Sequence, residues 1–414
     1  MNSPDIFISI AAYREFDLPA TLASLLSMAD TPSRLRVCVY WQRAPEDSLG
    51  DLADAPQLEI LDVPYQQSRG VCWARHRIQQ QYRGERYFLQ LDGHHRFAPG
   101  WDSALVNMLE ELRGSGVPRP VLTTYLPAFD PEDDPAARSQ DIWLLGADRF
   151  DDSGVVFMRP YIPLEPPEAP VATRFWSAHF SFSDGAFVHD VPIDPNGYFH
   201  GEEIGTCVRA WTSGYDFFCP HRTLVWHEYS RKGRRCHWDD HSDWSARNEA
   251  ALARYRALVG VDGVAPIDLD GYGLGSVRSL ADYEQFAGIS FADRYISPET
   301  LAHTPPTLPD TLRGAGGRTS DALRSTPATP RIPQRDPRWS EEQLEGEWVL
   351  YNEDTTRACY LNDSAALIWQ LVDGERSTED IRALLEGAYG EAVGICEDLT
   401  LVLSQLRSQG AIRF

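Results

Sequence analysis

The chain has 414 residues, 43% of them hydrophobic, with 38 Lys and Arg against 61 Asp and Glu and a net charge of -23. That length predicts two or three domains, and that charge argues against a general polyanion binder, because phosphate backbones demand clustered cations. No apolar run is long enough to span a membrane, MNSPDIFISI lacks the features of a signal peptide, and seven scattered cysteines read as reduced thiols of a cytoplasmic protein.

Asp5 to Tyr13 (DIFISIAAY) is a short apolar, β-branched run and predicts a strand. A helix follows over 17–29, with Asp17 placed to cap it and Pro19 in its first turn. Strands are predicted over 35–41 and 58–63, a helix over 70–82, a buried strand over 86–92, a glycine-closed helix over 100–116 and a strand over 119–127. This alternation predicts a mostly parallel, doubly wound sheet. Residues 128–170, rich in Asp, Pro and Glu, read as a long insertion or lid. Order returns over 175–195, with a helix over 202–215 and a strand over 222–229.

The first globular domain is placed at 1–296. Residues 297–337, dominated by Pro, Thr, Gly, Ser and Arg, cannot build a core and read as a flexible linker. A small domain follows over 338–414. It begins with a hairpin turning at Glu353-Asp354. Its first helix is capped by Asp363 and stopped by Gly374, its second opens on Ser377 and Asp380 as a capping box, and its third ends at Gly410. Strands followed by three helices predict a winged-helix-like unit.

The buried strand over 86–92 ends abruptly in Asp92-Gly93-His94-His95. In a doubly wound sheet, ligands sit beyond the carboxyl ends of the strands. In extended backbone Asp92 and His94 share one side. One oxygen and one nitrogen ligand suit Mn²⁺ or Mg²⁺ beside a diphosphate. The alternative is a plain Asp-Gly turn followed by surface histidines. Cys219, His221, Cys236, His237 and His241 lie close in sequence, but their spacing fits no closed zinc site. The basic run Arg231 to Arg235 reads as a phosphate or acidic-peptide contact, or as a solvated loop.

Four stretches occur in order: IFISIAAYRE; RGVCWARHRIQQQYRGERYFLQLDGHHRFAPGWD; DPNGYFHGEEIGTCVRAWTSGYDFFCPHRTLVWHEYSR; and GYGLGSVRSLADYEQFAGI. Together they resemble the polypeptide N-acetylglucosaminyltransferases whose known members modify hydroxyproline of a ubiquitin-ligase subunit. The resemblance implies a Rossmann-like glycosyltransferase type A fold, a UDP-N-acetylglucosamine donor, a divalent metal and retention of anomeric configuration. The usual D-S-H metal motif reads Asp92-Gly93-His94 here. The resemblance assigns Asp92 and His94 to the metal, with His227 as third ligand. It assigns Glu202 and Glu203 to the acceptor or sugar, and Ala11, Tyr13, Arg14, Gly70, Arg75 and Asp92 to the nucleotide. Val71-Cys72 stands where the family often has Gly-Pro, a local departure.

The stretch from Trp348 to Ile412 resembles PqqD-like precursor-recognition (RRE) domains of ribosomal peptide (RiPP) biosynthesis, through its YLN-x-S-A helix entry, DG-x-x-S break and closing L-x-x-L-x-x-x-G. Such domains bind a leader peptide as an added strand. A generic DNA-binding winged helix is the alternative, disfavoured by the acidic composition. The combination predicts an α/β enzyme that moves a sugar from a UDP-sugar to a hydroxyl of a precursor peptide. The leader would sit on 338–414 and the core in the transferase cleft, with no nucleic acid or membrane partner. A degenerate transferase fold kept as a peptide-binding scaffold, and a metal-dependent nucleotide-sugar hydrolase, are the competing readings.

Overall fold

Ile6, Phe7, Ile8 and Ile10 are fully buried, so the first strand, β1 (Ile6–Tyr13), has protein on both faces, as a central parallel strand requires. The computed structural model describes residues 4–132, 134–230, 233–261, 267–308, 332–344, 347–352, 354, 357–389 and 395–414. They divide into two compact units, Met1–Pro160 with Pro167–Gly314, and Tyr161–Pro166 with Ala315–Phe414.

In the first unit β1 leads to α1 (Leu18–Ser27), β2 (Leu35–Arg43), β3 (Leu58–Pro64), α2 (Val71–Gln79) and β4 (Tyr87–Leu91). Then come β5 (His95–Phe97), α3 (Trp101–Gly114), β6 (Pro120–Thr123) and a hairpin of β7 (Leu144–Phe150) and β8 (Val156–Tyr161). β9 (Val171–Thr173), β10 (Phe180–Asp184), α4 (Phe187–Asp190), α5 (Glu202–Thr212), β11 (Asp216–Cys219) and β12 (Val225–His227) follow. The unit closes with α6 (His237–Asp240), α7 (Trp244–Leu258), α8 (Leu280–Ala287), β13 (Ile289–Ser290), β14 (Tyr295–Ile296) and α9 (Pro298–Leu301).

The main sheet has the order β3-β2-β1-β4-β10-β6-β11-β9. β1 runs parallel to β2 and β4, β2 to β3, and β6 to β11. β10 breaks the expected parallel run, pairing antiparallel with both β4 and β6. Among the described residues no crossover α-helix separates β6 from β10. The chain leaves β6 at its carboxyl end, makes the 128–173 excursion and re-enters there, so it must return in the opposite sense. The fold class is the expected one, a mixed α/β domain followed by a small domain of strands and three helices.

Under the sheet, Leu18, Leu22 and Leu25 of α1 and Trp101, Leu105 and Leu109 of α3 pack against β1, β2 and β4. Asp17 stands at the N-cap of α1 but makes no side-chain cap. Its carboxylate pairs instead with Arg96, at 2.7 Å through both oxygens.

The second unit holds β15 (Gln334–Arg335), an antiparallel meander of β16 (Trp339–Leu344), β17 (Glu347–Asn352) and β18 (Arg357–Leu361), then α10 (Asp363–Leu371), α11 (Thr378–Tyr389), α12 (Ile395–Ser408) and β19 (Ile412–Arg413). Leu350, Trp369, Val372, Ile381, Leu399 and Leu403 build a core separate from that of the sheet. Asn362, rather than Asp363, caps α10, accepting from the Ala365 amide at 2.8 Å. The capping box at Ser377 and Asp380 forms in both directions. Segment 161–166 belongs to this unit: Ser404 donates to the Ile162 carbonyl at 2.6 Å, and the Ile162 amide donates to Ser408 at 3.0 Å. Of the stretch expected as a linker, 309–331 lies outside the described residues, as does Glu353 of the expected hairpin turn.

Candidate active site

A cavity of about 290 Å³ opens beyond the carboxyl ends of β1, β2 and β4, where an open α/β sheet takes its ligands. Ala11, Tyr13 and Glu15 enter from β1 and the turn after it, Gln42 from β2, Gly70 and Val71 from the start of α2, and Asp92 and His94 from the turn after β4. Across it stand Tyr198 and Phe199, His227 and Tyr229, and the segment 234–238. Phe199 is 51% exposed and meets Trp238 edge-on at 5.5 Å, an aromatic pair at the rim.

Sequence separation does not predict that residue 227 meets residue 94; a small ribbon brings them together. β5 and β12 pair antiparallel with His95 opposite His227. The Glu228 amide donates to the His94 carbonyl, and the His227 amide to the Pro127 carbonyl. One ligand atom from each of Asp92, His94 and His227 then lies within 4.8 Å of the others. Among the described residues these three form the group able to hold a metal ion, and the Cys219 to His241 cluster does not assemble. The thiol of Cys219 is instead buried, accepting from the Leu145 amide.

The donor set fits a divalent cation. Both ring nitrogens of His227 are buried without a hydrogen-bond partner, and Nε2 stands 3.8 Å from Asp92 Oδ2, too far for a hydrogen bond. Orphaned buried donors and acceptors are rare and call for an explanation. Burial and the neighbouring histidines push the His227 imidazole down to about 3, so it stays neutral with a lone pair to offer. Burial works against ionisation of Asp92, but His227, Arg75 and His94 hold its carboxyl well below the usual range.

Arg75 is buried behind the cavity rather than lining it. Nη1 takes both oxygens of Glu202 at 2.6 and 2.8 Å, and Nη2 reaches Asp92 Oδ1 at 2.6 Å. The arginine thus orients Asp92 from the rear. Glu203 faces elsewhere: Tyr125 donates to its Oε2 at 2.5 Å and the Ala178 amide to its Oε1 at 2.8 Å. Burial raises its carboxyl to about 7. Neither glutamate lines the cavity. Tyr13 does line it, with its hydroxyl donating to Asp240 at 2.9 Å. Arg14, in a left-handed backbone conformation at φ 43°, also holds Asp240 through both oxygens at 3.0 Å. Gly70 caps α2 at φ 107°, and a Cβ there would meet the Tyr198 ring at 2.8 Å.

Of the basic run, Arg231 and Lys232 lie outside the described residues, whereas Arg234 and Arg235 line the cavity. Nη1 of Arg234 is buried with no hydrogen-bond partner, 3.6 Å from Glu15. Glu15, Gln42, Tyr125 and Asp240 are site residues that the sequence does not announce. Each owes its place to a partner tens to hundreds of residues away.

What the fold and cavity define first is a class: a mixed α/β chain with its ligand cavity at the carboxyl edge of the parallel strands. The family model described as Glycosyltransferase (GlcNAc) matches residues 5–57 and 52–293, and the chain belongs to that glycosyltransferase family. A second model, Coenzyme PQQ synthesis protein D (PqqD), matches residues 347–412. Over 93 residues, 22% of this chain and 87% of the relative, it is 34% identical to the PqqA binding protein of Acinetobacter baylyi (strain ATCC 33305 / BD413 / ADP1). Similar solved structures include GalNAc-T7 with UDP, GalNAc and Mn²⁺ (11% identity, 88% of this chain and 68% of that one, TM-score 0.44). S. aureus TarS 1-349 is another (12%, 98% and 92%, TM-score 0.41). Lasso peptide synthetase B1 complexed with the leader peptide matches 20% of this chain and 100% of its own, at 25% identity and TM-score 0.19. No helix among the described residues is long and apolar enough to cross a membrane.

Proposed function

We propose that this glycosyltransferase is metal-dependent and retaining. It would move a sugar, N-acetylglucosamine by family, from a UDP-sugar to a hydroxyl side chain of a ribosomally made precursor peptide held by its leader. The observation that carries this reading is the convergence of Asp92, His94 and His227 in the cavity, with both nitrogens of His227 unsatisfied. These three would hold Mn²⁺ or Mg²⁺. A cation bound there would neutralise charge on the departing diphosphate.

The chain's own groups divide the remaining work. Arg75 keeps Asp92 ionised and aimed. Arg234 and Arg235 offer the diphosphate fixed positive charge inside the cavity. Tyr13, enclosed by Tyr65, His237 and His241, forms an aromatic wall for the nucleoside. The acceptor oxygen forms its bond to the anomeric carbon on the face from which the diphosphate departs, and the hydroxyl proton passes to the leaving phosphate oxygen. No side-chain base is needed, consistent with both glutamates being tied up. Glu202 acts through Arg75, and Glu203 holds the Ala178 amide and the Tyr125 hydroxyl. The PqqD match and the relative named a PqqA binding protein support assigning residues 338–414 to the leader, with the stretch between α9 and β15 as tether.

Intact-mass analysis of a precursor peptide encoded beside the gene tests the whole reading. Incubated with the full chain, Mn²⁺ and a panel of UDP-sugars, the peptide should gain one sugar mass. That gain should need metal and leader, and should vanish in Asp92→Ala. Full turnover by folded Asp92→Ala would sink the metal role. Sugar release without acceptor would favour the hydrolase reading, and leader binding without transfer the scaffold.

A further inference from the structure

Glu15 follows β1 and is a buried carboxylate, 6% exposed. Its Oε2 lies 2.7 Å from Nδ1 of His94, on the far side of that ring from the proposed cation. A carboxylate accepts and does not donate, so Nδ1 carries the proton and Nε2 keeps its lone pair. Nε2 in turn lies 3.9 Å from Asp92 Oδ2, a separation that a shared ligand bridges and a hydrogen bond does not.

Gly93 makes room for this arrangement. A Cβ built on it would stand 2.9 Å from Cγ of Glu15 and 3.5 Å from Cβ of Glu15 and of Ala12. Any side chain at 93 would therefore push Glu15 off His94. This accounts for glycine between the aspartate and the histidine, where the resembled motif has serine.

We infer that Glu15 is a positioning residue for the cation. It locks His94 in the tautomer and ring orientation that present Nε2 to the metal, and Gly93 is the space that seats it. Outer carboxylates of this kind raise the basicity of a ligating imidazole and tune metal affinity. The inference rests on the metal reading above and names a component that reading does not contain.

Mn²⁺ titration of the full chain without donor or peptide, followed by the electron paramagnetic resonance of free Mn²⁺, tests it. Glu15→Ala should raise Kd for Mn²⁺ about 10–100-fold. In the Co²⁺-loaded protein it should also alter the visible absorption, which a change in packing alone would not do. Glu15→Gln, whose amide oxygen can accept the same bond, should recover most of the affinity. Gly93→Ala should weaken binding in the wild-type background and change nothing further in Glu15→Ala, a non-additive pair. Glu85→Ala, which breaks a buried ion pair with Arg36 outside the cavity, should leave the affinity for metal alone intact. Unchanged Kd in Glu15→Ala, or an equal loss in Glu85→Ala, overturns the inference while leaving the metal reading standing. No Mn²⁺ binding by the wild-type chain overturns both. If Glu15→Ala fails to fold, Gly93→Ala decides the matter by the same readout.

Discussion

Glu202 and Glu203 are neighbours in sequence with different partners, and burial raises both carboxyls. Glu202 is clamped by a buried guanidinium, whereas Glu203 has only a phenol and one amide, and burial raises its carboxyl to about 7. An unfolded glutamate titrates near 4.3. Between these values the unfolded chain has released its proton and the folded one has kept it. Unfolding stability therefore falls as pH rises, by about 1.4 kcal/mol per unit and about 4 kcal/mol in all. Glu203→Gln keeps an acceptor for the Ala178 amide and has nothing to ionise. Relative to this variant, the wild type should lose stability steadily from pH 5 to 7 and then run parallel to it. Urea midpoints of the two proteins across that range are the measurement, and curves parallel throughout would mean that Glu203 is not the titrating group.

At the scale of elements, the cavity depends on how helices and ribbons begin. α2 starts at Gly70, whose φ of 107° is open only to glycine and whose missing Cβ lets the Tyr198 ring close the wall. Gly70→Ala pairs backbone strain with a steric clash and should cost about 2–4 kcal/mol. It should also weaken UDP binding by calorimetry; an unshifted denaturation midpoint would show that the wall yields freely. β1, β2, β4, α2 and α3 are legible in the sequence because apolar period and glycine punctuation coincide there. The β7–β8 hairpin is not read from the polar composition of 128–170. Yet Asp151 closes its turn by accepting from the Ser153 and Val155 amides, and the D-D-S-G stretch between two apolar runs carries that signal. The stretch 222–229 looks like one strand, but only Val225–His227 has a partner, the three-residue β5. Asp92 and His94 are legible as a motif. His227 rests on the resemblance, and Glu15 and Arg75 on contacts that no local pattern encodes. Asp17 shows the same limit, since an ideal capping residue was taken by Arg96, 79 positions away.

The whole molecule joins a transferase unit and a PqqD unit, each with its own core. If 338–414 holds the leader, then a bound precursor presents its core at an effective concentration set by the intervening chain, without any new contact at the reacting hydroxyl. This separates two kinetic quantities. Binding energy supplied by the leader would lower KM, whereas chemistry at the proposed Asp92 site would fix kcat. A synthetic leader added in trans to the full chain should therefore compete with the full precursor, raising its apparent KM with kcat unchanged. The same leader should leave turnover of a leaderless core peptide untouched. That core, at high concentration, should approach the kcat of the full precursor. Two results would break the division. Inhibition of the leaderless core would put the leader in or over the catalytic cavity. A leaderless kcat far below that of the precursor would mean that the leader acts on the chemistry itself.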